Sequence, residues 1–280
     1  MASFPLLDHG LWALKDHDNP DFKLVENDIR DTENLVEQLD QQYDVIVHLA
    51  AKAGVRPSIK EPVLYQQVNV AGLQNILEIA RQKSVKQFVF GSSSSVYGIN
   101  PNTPWKETDR DLMPISPYAA SKIAGEWLGN TYSRMYGIRF IALRFFTVFG
   151  PRQRPDLAIN KFTQKIINGE PIDFFGDGNT LRDYTYVSDT IAGIEAAMQY
   201  ERSVFEIFNL GNNHPVSLSQ LVTILENVLN KKALYNKLPQ QEGDVPSTCA
   251  DISKAKEFFG YNPSVSLPEG IRKYVEWKMK

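Results

Sequence analysis

Tyr118 and Lys122, in the run Ser116-Pro117-Tyr118-Ala119-Ala120-Ser121-Lys122, are a tyrosine and a lysine four residues apart. On a helix this spacing sends both side chains off one face, about 6 Å apart along the axis. An ammonium beside a phenol favours the phenolate and makes the tyrosine a usable base near neutral pH. Ser116 is a good N-cap and Pro117 a good first residue, so the helix is expected to start just ahead of the tyrosine. A second pair, Tyr274 and Lys278, falls on an ordinary amphipathic C-terminal pattern, so the spacing alone is not diagnostic. Four hydroxyls upstream (Ser92, Ser93, Ser94 and Ser95), a flanking strand and the arginines downstream single out the first pair.

The elements that must position these groups follow from periodicity. Short apolar runs alternating with helical patterns predict strands over 22–29, 43–50, 87–90 and 139–146. Between them fall an amphipathic segment over 32–41, a long helix over 64–82 and the Tyr118 helix, which runs to about Tyr136. Strand, helix, strand in this rhythm implies a parallel sheet with helices on both faces, a doubly wound α/β domain. Beyond Gly150 the texture changes. A loop with Pro151, Arg152, Arg154 and Pro155 precedes a helix over 160–168, strands over 182–187 and 206–211, and a helix over 218–229. Residues 1–150 with roughly 181–231 are expected to form the sheet domain, and 151–180 with 232–280 a smaller C-terminal lobe. No internal repeats are visible.

Composition narrows the function classes. The 280 residues are 42% hydrophobic and 22% charged, ordinary for a soluble globular chain. The formal net charge of −3, without a basic cluster, argues against nucleic acid as a partner. No apolar stretch approaches a membrane span, and residues 1–10 lack the pattern of a signal peptide. The single cysteine, Cys249, fits a reducing cytoplasm. The four histidines are scattered without metal-ligand spacing, so no metal site is expected.

Taken in order, Asn27-Asp28-Ile29-Arg30, His48-Leu49-Ala50-Ala51, Asn69, Ser92-Ser93-Ser94-Ser95-Val96-Tyr97-Gly98, the Tyr118/Lys122 pair, Arg182-Asp183-Tyr184-Thr185-Tyr186 and Gly243-Asp244-Val245 resemble one family. It is the extended short-chain dehydrogenase/reductases, specifically the NAD-dependent nucleotide-sugar epimerases. The resemblance implies a Rossmann-like sheet holding NAD across the carboxyl ends of its strands. By similarity Asp28 and Ile29 would flank the adenine, Leu49, Ala50 and Ala51 would line the cofactor's central portion, and Asn69 would orient the nicotinamide side. Asp28 also suits a helix cap, and Leu49 to Ala51 also read as plain strand core.

The resemblance further implies C4 chemistry on a UDP-sugar. Tyr118 would remove the 4-hydroxyl proton, Lys122 would hold the nicotinamide ribose, and Ser93 would supply a hydroxyl to the 4-oxygen. Ser94 and Ser95 stand where nucleotide-sugar 4,6-dehydratases carry an Asp-Glu pair, and hydroxyls cannot replace that acid and base, so dehydration is not expected. Ser95 likewise replaces the glutamate of relatives that make UDP-xylose. In such enzymes Phe146 would contact nicotinamide, Thr147 the sugar, Arg182 the diphosphate and Asp244 a ribose hydroxyl; Arg182 with Asp183 also reads as a surface ion pair. The stretch from Gly150 to Ala158 resembles UDP-glucuronate 4-epimerases, where Arg154 would pair with the C6 carboxylate, although loop arginines are commonly just solvated. Gln241 fits the same subgroup. Thr248 is small enough to leave room for an N-acetylated sugar, so UDP-glucose and UDP-N-acetylglucosamine remain alternatives. A homodimer through the helices over 64–82 and 118–136 also follows from the resemblance.

One expected feature is missing. No Gly-x-x-Gly-x-x-Gly turn precedes Asp28, and residues 6–15 read instead as a helix. The chain is therefore expected to lack strand one, its helix and strand two, about 40 residues of such a fold. With that loss go the pyrophosphate cradle and an acidic ribose ligand. Weak NAD affinity and little turnover are expected, and a catalytically silent nucleotide-sugar-binding protein is the competing reading.

Overall fold

The computed structural model describes residues 22–240 and 245–280. Gln241, Gly243, Asp244 and the helix expected over 6–15 lie outside the described residues. The central element is a four-stranded parallel sheet in the order β1 (Val45–His48), β2 (Gln87–Ser93), β3 (Arg139–Phe145) and β7 (Phe205–Leu210).

Alternation explains why this sheet is covered twice. Phe88, Phe90, Phe140 and Ala142 point to one face, where they pack with Leu73, Leu77 and Tyr132. Val89, Ile141, Leu143 and Phe208 point to the other, against Ala197, Tyr200, Ala255 and Tyr261. Both sides of each strand are apolar and buried, the pattern of a sheet between helical layers. One layer holds α4 (Gly72–Gln82) and α5 (Pro117–Tyr136); the other holds α7 (Val187–Met198) and α9 (Ser253–Phe259).

The helix over 64–82 is segmented. Helix α3 (Pro62–Gln66) passes through a π-helical turn, Gln67–Ala71, into α4. The strand expected over 22–29 is absent. No described strand lies beside that segment to satisfy its backbone, and its end is instead held by helix contacts. The Ile29 side chain fills the space beside Gly72, and Asn75 Nδ2 donates to the Ile29 carbonyl. Ahead of β1, α1 (Thr32–Gln38) is capped by the Asp31 carboxylate.

The described residues also form two small sheets. Strand β4 (Thr147–Phe149) runs parallel to β6 (Leu181–Tyr186), which pairs antiparallel with β8 (Pro215–Ser217). Strand β5 (Pro171–Phe175) pairs with β9 (Leu234–Leu238). Their core gathers Phe149 of β4 and Ile172 of β5 with Ile159, Phe162, Leu221, Leu225, Ile271 and Tyr274 from α6 (Ala158–Asn168), α8 (Leu218–Leu229) and α10 (Leu267–Lys278). Tyr274 is wholly buried there and Lys278 Nζ donates to Asn160 Oδ1 at 3.1 Å, so the second Tyr/Lys pair is structural.

Candidate active site

Helix α5 begins as its sequence requires. Pro117 is its first residue and Ser116 Oγ accepts from Ala119 N–H at 3.1 Å. This start puts Tyr118 and Lys122 on the face turned to the carboxyl end of β2. Two glycines let the helix approach closely. A Cβ on Gly125 would lie 2.5 Å from Phe90, and one on Gly129 would lie 2.1 Å from Phe140. Lys122 therefore reaches the strand itself: Nζ donates to the Gly91 carbonyl at 2.6 Å and lies 4.9 Å above the Phe90 ring.

The reactive groups meet at the end of β2. Ser93 Oγ accepts from Ser95 N–H at 3.2 Å, capping the 3₁₀ turn Ser94–Tyr97 that follows the strand. Burial raises the Tyr118 phenol above its usual range; a hydrogen bond to Ser93 and the charge of Arg154 work against that rise. Burial also lowers the Lys122 ammonium to about 8, with the Glu126 charge opposing it. Lys122 Nζ lies 5.9 Å from the centre of the Tyr118 ring, which stacks edge-on against Tyr65 at 6.3 Å. Ser93 and Arg154, more than Lys122, are thus the groups that favour the phenolate in this state.

Asn69, on the π turn, is buried and fully used. Its Oδ1 accepts from Lys52 N–H at 2.7 Å, and its Nδ2 donates to the Lys52 carbonyl and to Ser121 Oγ. It ties the loop after β1 to the Tyr118 helix. A π bulge aims this one side chain out of a run whose neighbours face elsewhere.

Beside the 3₁₀ turn that follows Ser93 lies a cavity of about 330 Å³. Ser94, Ser95, Thr147, Arg154 and Arg182 all line it, so the five described substrate-contacting residues expected from sequence converge. Val245 and Thr248 line it too, because Leu181 exchanges backbone hydrogen bonds with Pro246 and Thr248 across β6. Arg154 grips the Asp156 carboxylate with Nε and Nη2 at 2.9 and 2.7 Å. Burial works against ionisation of Asp156, yet the Arg154 hydrogen bond and charge hold it below the usual carboxylate range. A second cavity of about 350 Å³, lined by Lys161, Phe162, Lys165 and Tyr184, shares Arg56 and Arg182 with the first.

Arg56 escaped the sequence reading. It belongs to α2 (Val55–Lys60), just past the end of β1, and borders both cavities. Its signal was a cation in the first turn of a helix, where acidic residues are favoured.

The remaining predicted positions lie apart. Asp28 borders an open depression with Arg30, Asp31, Gln67, Ala71 and Asn75. Its carboxylate is held down to about 2, chiefly by hydrogen bonds from the Arg30 side chain and backbone. Leu49 is 51% exposed at the end of β1, followed by exposed Ala50 and partly buried Ala51. Phe146 is buried against Tyr97 and Trp105 and is not among the residues lining these cavities.

A parallel sheet with helices on both faces, and a tyrosine, lysine and serine gathered at the carboxyl end of its strands, defines a short-chain dehydrogenase/reductase. The chain belongs, within that class, to the family described as GDP-mannose 4,6-dehydratase, whose model matches residues 7–274. It is 44% identical over 265 residues to an uncharacterized protein of Methanocaldococcus jannaschii, covering 94% of this chain and 80% of that one. It is 42% identical over 274 residues to UDP-glucuronate 4-epimerase 2 of Arabidopsis thaliana, covering 91% of this chain and 63% of the relative. Among solved structures, UDP-glucuronic acid 4-epimerase of Bacillus cereus with UDP-glucuronic acid and NAD superposes with a TM-score of 0.88 at 34% identity. That match covers 97% of this chain and 85% of the other. The Arabidopsis thaliana and Bacillus cereus relatives are nucleotide-sugar 4-epimerases, which are isomerases. Among the described residues no helix is long and apolar enough to cross a membrane.

Proposed function

We propose that this chain epimerises UDP-glucuronate at C4, giving UDP-galacturonate through a 4-keto intermediate, with NAD as its resident cofactor. The central portion of an NAD site is supported by exposed Leu49 and Ala50 at the strand end, and its nicotinamide end by buried Lys122 and by Tyr118 beside Ser93. The described residues include no glycine-rich turn for the pyrophosphate. NAD would be held by Leu49, Ala50, Ala51, Asn69, Lys122 and Phe146 and would supply a reversible hydride acceptor for C4.

The protein's own residues do the rest. Tyr118 Oη accepts the 4-hydroxyl proton as C4 is oxidised and gives it back on reduction, which avoids a free alkoxide. Ser93, beside the phenol, donates its one hydroxyl proton to the 4-oxygen. Lys122, anchored on Gly91, supplies positive charge beneath the reacting groups. Arg182 and Arg56, shared by the two cavities, hold the diphosphate while the keto sugar turns over. Asp244 is assigned the ribose hydroxyl. Residues 1–150 with 181–231 would carry the cofactor and 151–180 with 232–280 the nucleotide-sugar.

The observation that carries the uronate assignment is the Arg154 fork. It already accommodates a carboxylate at 2.7–2.9 Å within the cavity that Ser94, Ser95 and Thr147 line. A C6 carboxylate entering that site would take the place of Asp156, and without such a partner its burial would be costly. Dehydration is not proposed, because serines 94 and 95 stand in place of an acid–base pair. Incubation with UDP-glucuronate and NAD, followed by chromatography, should yield UDP-galacturonate. Faster turnover of UDP-glucose or UDP-N-acetylglucosamine would overturn the uronate assignment, and binding without turnover of any of the three would leave a nucleotide-sugar-binding protein.

The same reading includes a homodimer through α3–α5, whose outer side exposes Val63, Trp127 and Met135. Sedimentation equilibrium should give a dimer that Trp127→Glu dissociates; a monomeric wild type removes this part of the proposal.

A further inference from the structure

Glu126 lies one helical turn beyond Lys122 on α5 and is 3% exposed. A carboxylate this deep is costly unless its oxygens are occupied. Arg144 of β3, 2% exposed, meets it with Nε on Oε1 at 2.9 Å and Nη2 on Oε2 at 2.8 Å. Ser92 donates from Oγ to Oε1 at 2.6 Å. Ser92 and Arg144 are register partners, so their side chains leave the same face of the sheet under the helix.

The consequence is a ladder between helix and strand end. Three residues of α5 spaced four apart engage three successive residues of β2. Lys122 takes the Gly91 carbonyl, Glu126 takes the Ser92 hydroxyl, and Tyr118 meets the Ser93 hydroxyl. A buried ion pair adds little stability over well-packed apolar side chains, so stability alone does not account for charges at this position.

We propose that Glu126 is a positioning residue whose carboxylate keeps Lys122 in its ammonium form and, through Ser92, sets the strand end that presents Ser93. Other groups around Lys122 do not supply that negative charge. His48 faces it from β1 and is held neutral at pH 7, its pKa lowered to about 4 by burial and by Lys122. Arg144 faces the network from β3; burial opposes its charge, but the Glu126 hydrogen bond and charge outweigh this and keep it cationic. Tyr118 shares the helix, Tyr65 of α3 packs on Tyr118, and Arg154 acts on the same phenol from the loop after β4. Burial pulls the Lys122 ammonium down, and Glu126 is the carboxylate that counters it.

The inference rests on the epimerase reading only for its activity readout. Three variants separate position from charge: Glu126→Gln, Glu126→Asp, and the double variant Glu126→Gln with Arg144→Gln, which leaves no lone buried charge. The first readout needs neither cofactor nor turnover. In protein with ¹³Cε-labelled lysine, the Lys122 resonance, assigned by its loss in Lys122→Arg, is titrated by NMR. Its midpoint should fall by about one pH unit in Glu126→Gln, the scale of losing one close opposite charge, should hold in Glu126→Asp, and should fall less in the double variant, which also removes the repelling Arg144 cation. The second readout is kcat against pH with UDP-glucuronate and NAD, whose alkaline limb should move down by the same amount. A folded Glu126→Gln variant with an unchanged Lys122 midpoint overturns the proposal. An inactive wild type would sink the epimerase reading and leave the NMR titration to decide this one.

Discussion

Lys122 donates to the Gly91 carbonyl at 2.6 Å while its nitrogen stays 5.9 Å from the centre of the Tyr118 ring. The ammonium is therefore bolted to the strand rather than to the phenol. The groups that favour ionisation of the phenol are Ser93, through hydrogen bonding, and Arg154, through its charge. This division assigns separate tests to each residue.

Tyr118→Phe removes only the phenolic oxygen. Turnover should fall by about 10²–10⁴-fold, the usual contribution of a positioned acid–base group. Calorimetry should show UDP-sugar binding retained, since Arg182 and Arg56 are untouched. Activity close to wild type would mean that another group takes the 4-hydroxyl proton.

Arg154→Ala removes both a carboxylate partner and a charge that lowers the Tyr118 pKa. KM for UDP-glucuronate should rise by roughly tenfold or more, the scale of a lost charge-assisted hydrogen bond, with little change for neutral UDP-sugars. Because the phenol would then ionise less readily, the acidic limb of kcat should move to higher pH. Equal losses for all sugars would remove the basis for choosing a uronate.

Gly129→Ala places a Cβ 2.1 Å from the Phe140 ring and must push α5 off the sheet. Urea unfolding should show a loss of about 1–3 kcal/mol, typical of overpacking. Turnover should fall as well, since the same shift draws Lys122 away from Gly91. Unchanged stability would mean that the helix has more room than this contact allows.

His48→Leu tests the proton linkage of the sheet. His48 is buried beside Phe88 and Phe90, and its pKa is lowered to about 4 from the free value of 6.5. Between those values the unfolded chain binds more protons, so the wild type should lose stability as pH falls below about 6.5. The loss at pH 5 relative to pH 7.5 is on the order of 2 kcal/mol. The leucine variant should lose less over that interval. Identical pH dependence in both proteins would exclude His48 as the source.

Much of this arrangement was legible in the chain. Ser116-Pro117 marked the start of α5, and Leu218 to Leu229 and the β2–β3 runs were readable from periodicity, because local propensity and burial agree there. The segment over 22–29 failed, since strand formation depends on a neighbour that its own residues do not encode. Arg56 and Glu126 were missed for a related reason: each matters through groups distant in sequence, two cavities in one case and Ser92 with Arg144 in the other.

Residue order by itself determined the alternation of strands and helices, the cap that starts the Tyr118 helix, and which side chains are candidates for the chemistry. These depend on spacing and type, which are one-dimensional properties. Folding decided which of two Tyr/Lys pairs sits at the carboxyl end of the sheet, because only packing distinguishes Tyr274 in a core from Tyr118 beside a serine. It also decided the charge environment. Desolvation and through-space fields act between groups that the chain brings together from α5, β2, β3 and the loop after β4, and no spacing along the sequence specifies those distances.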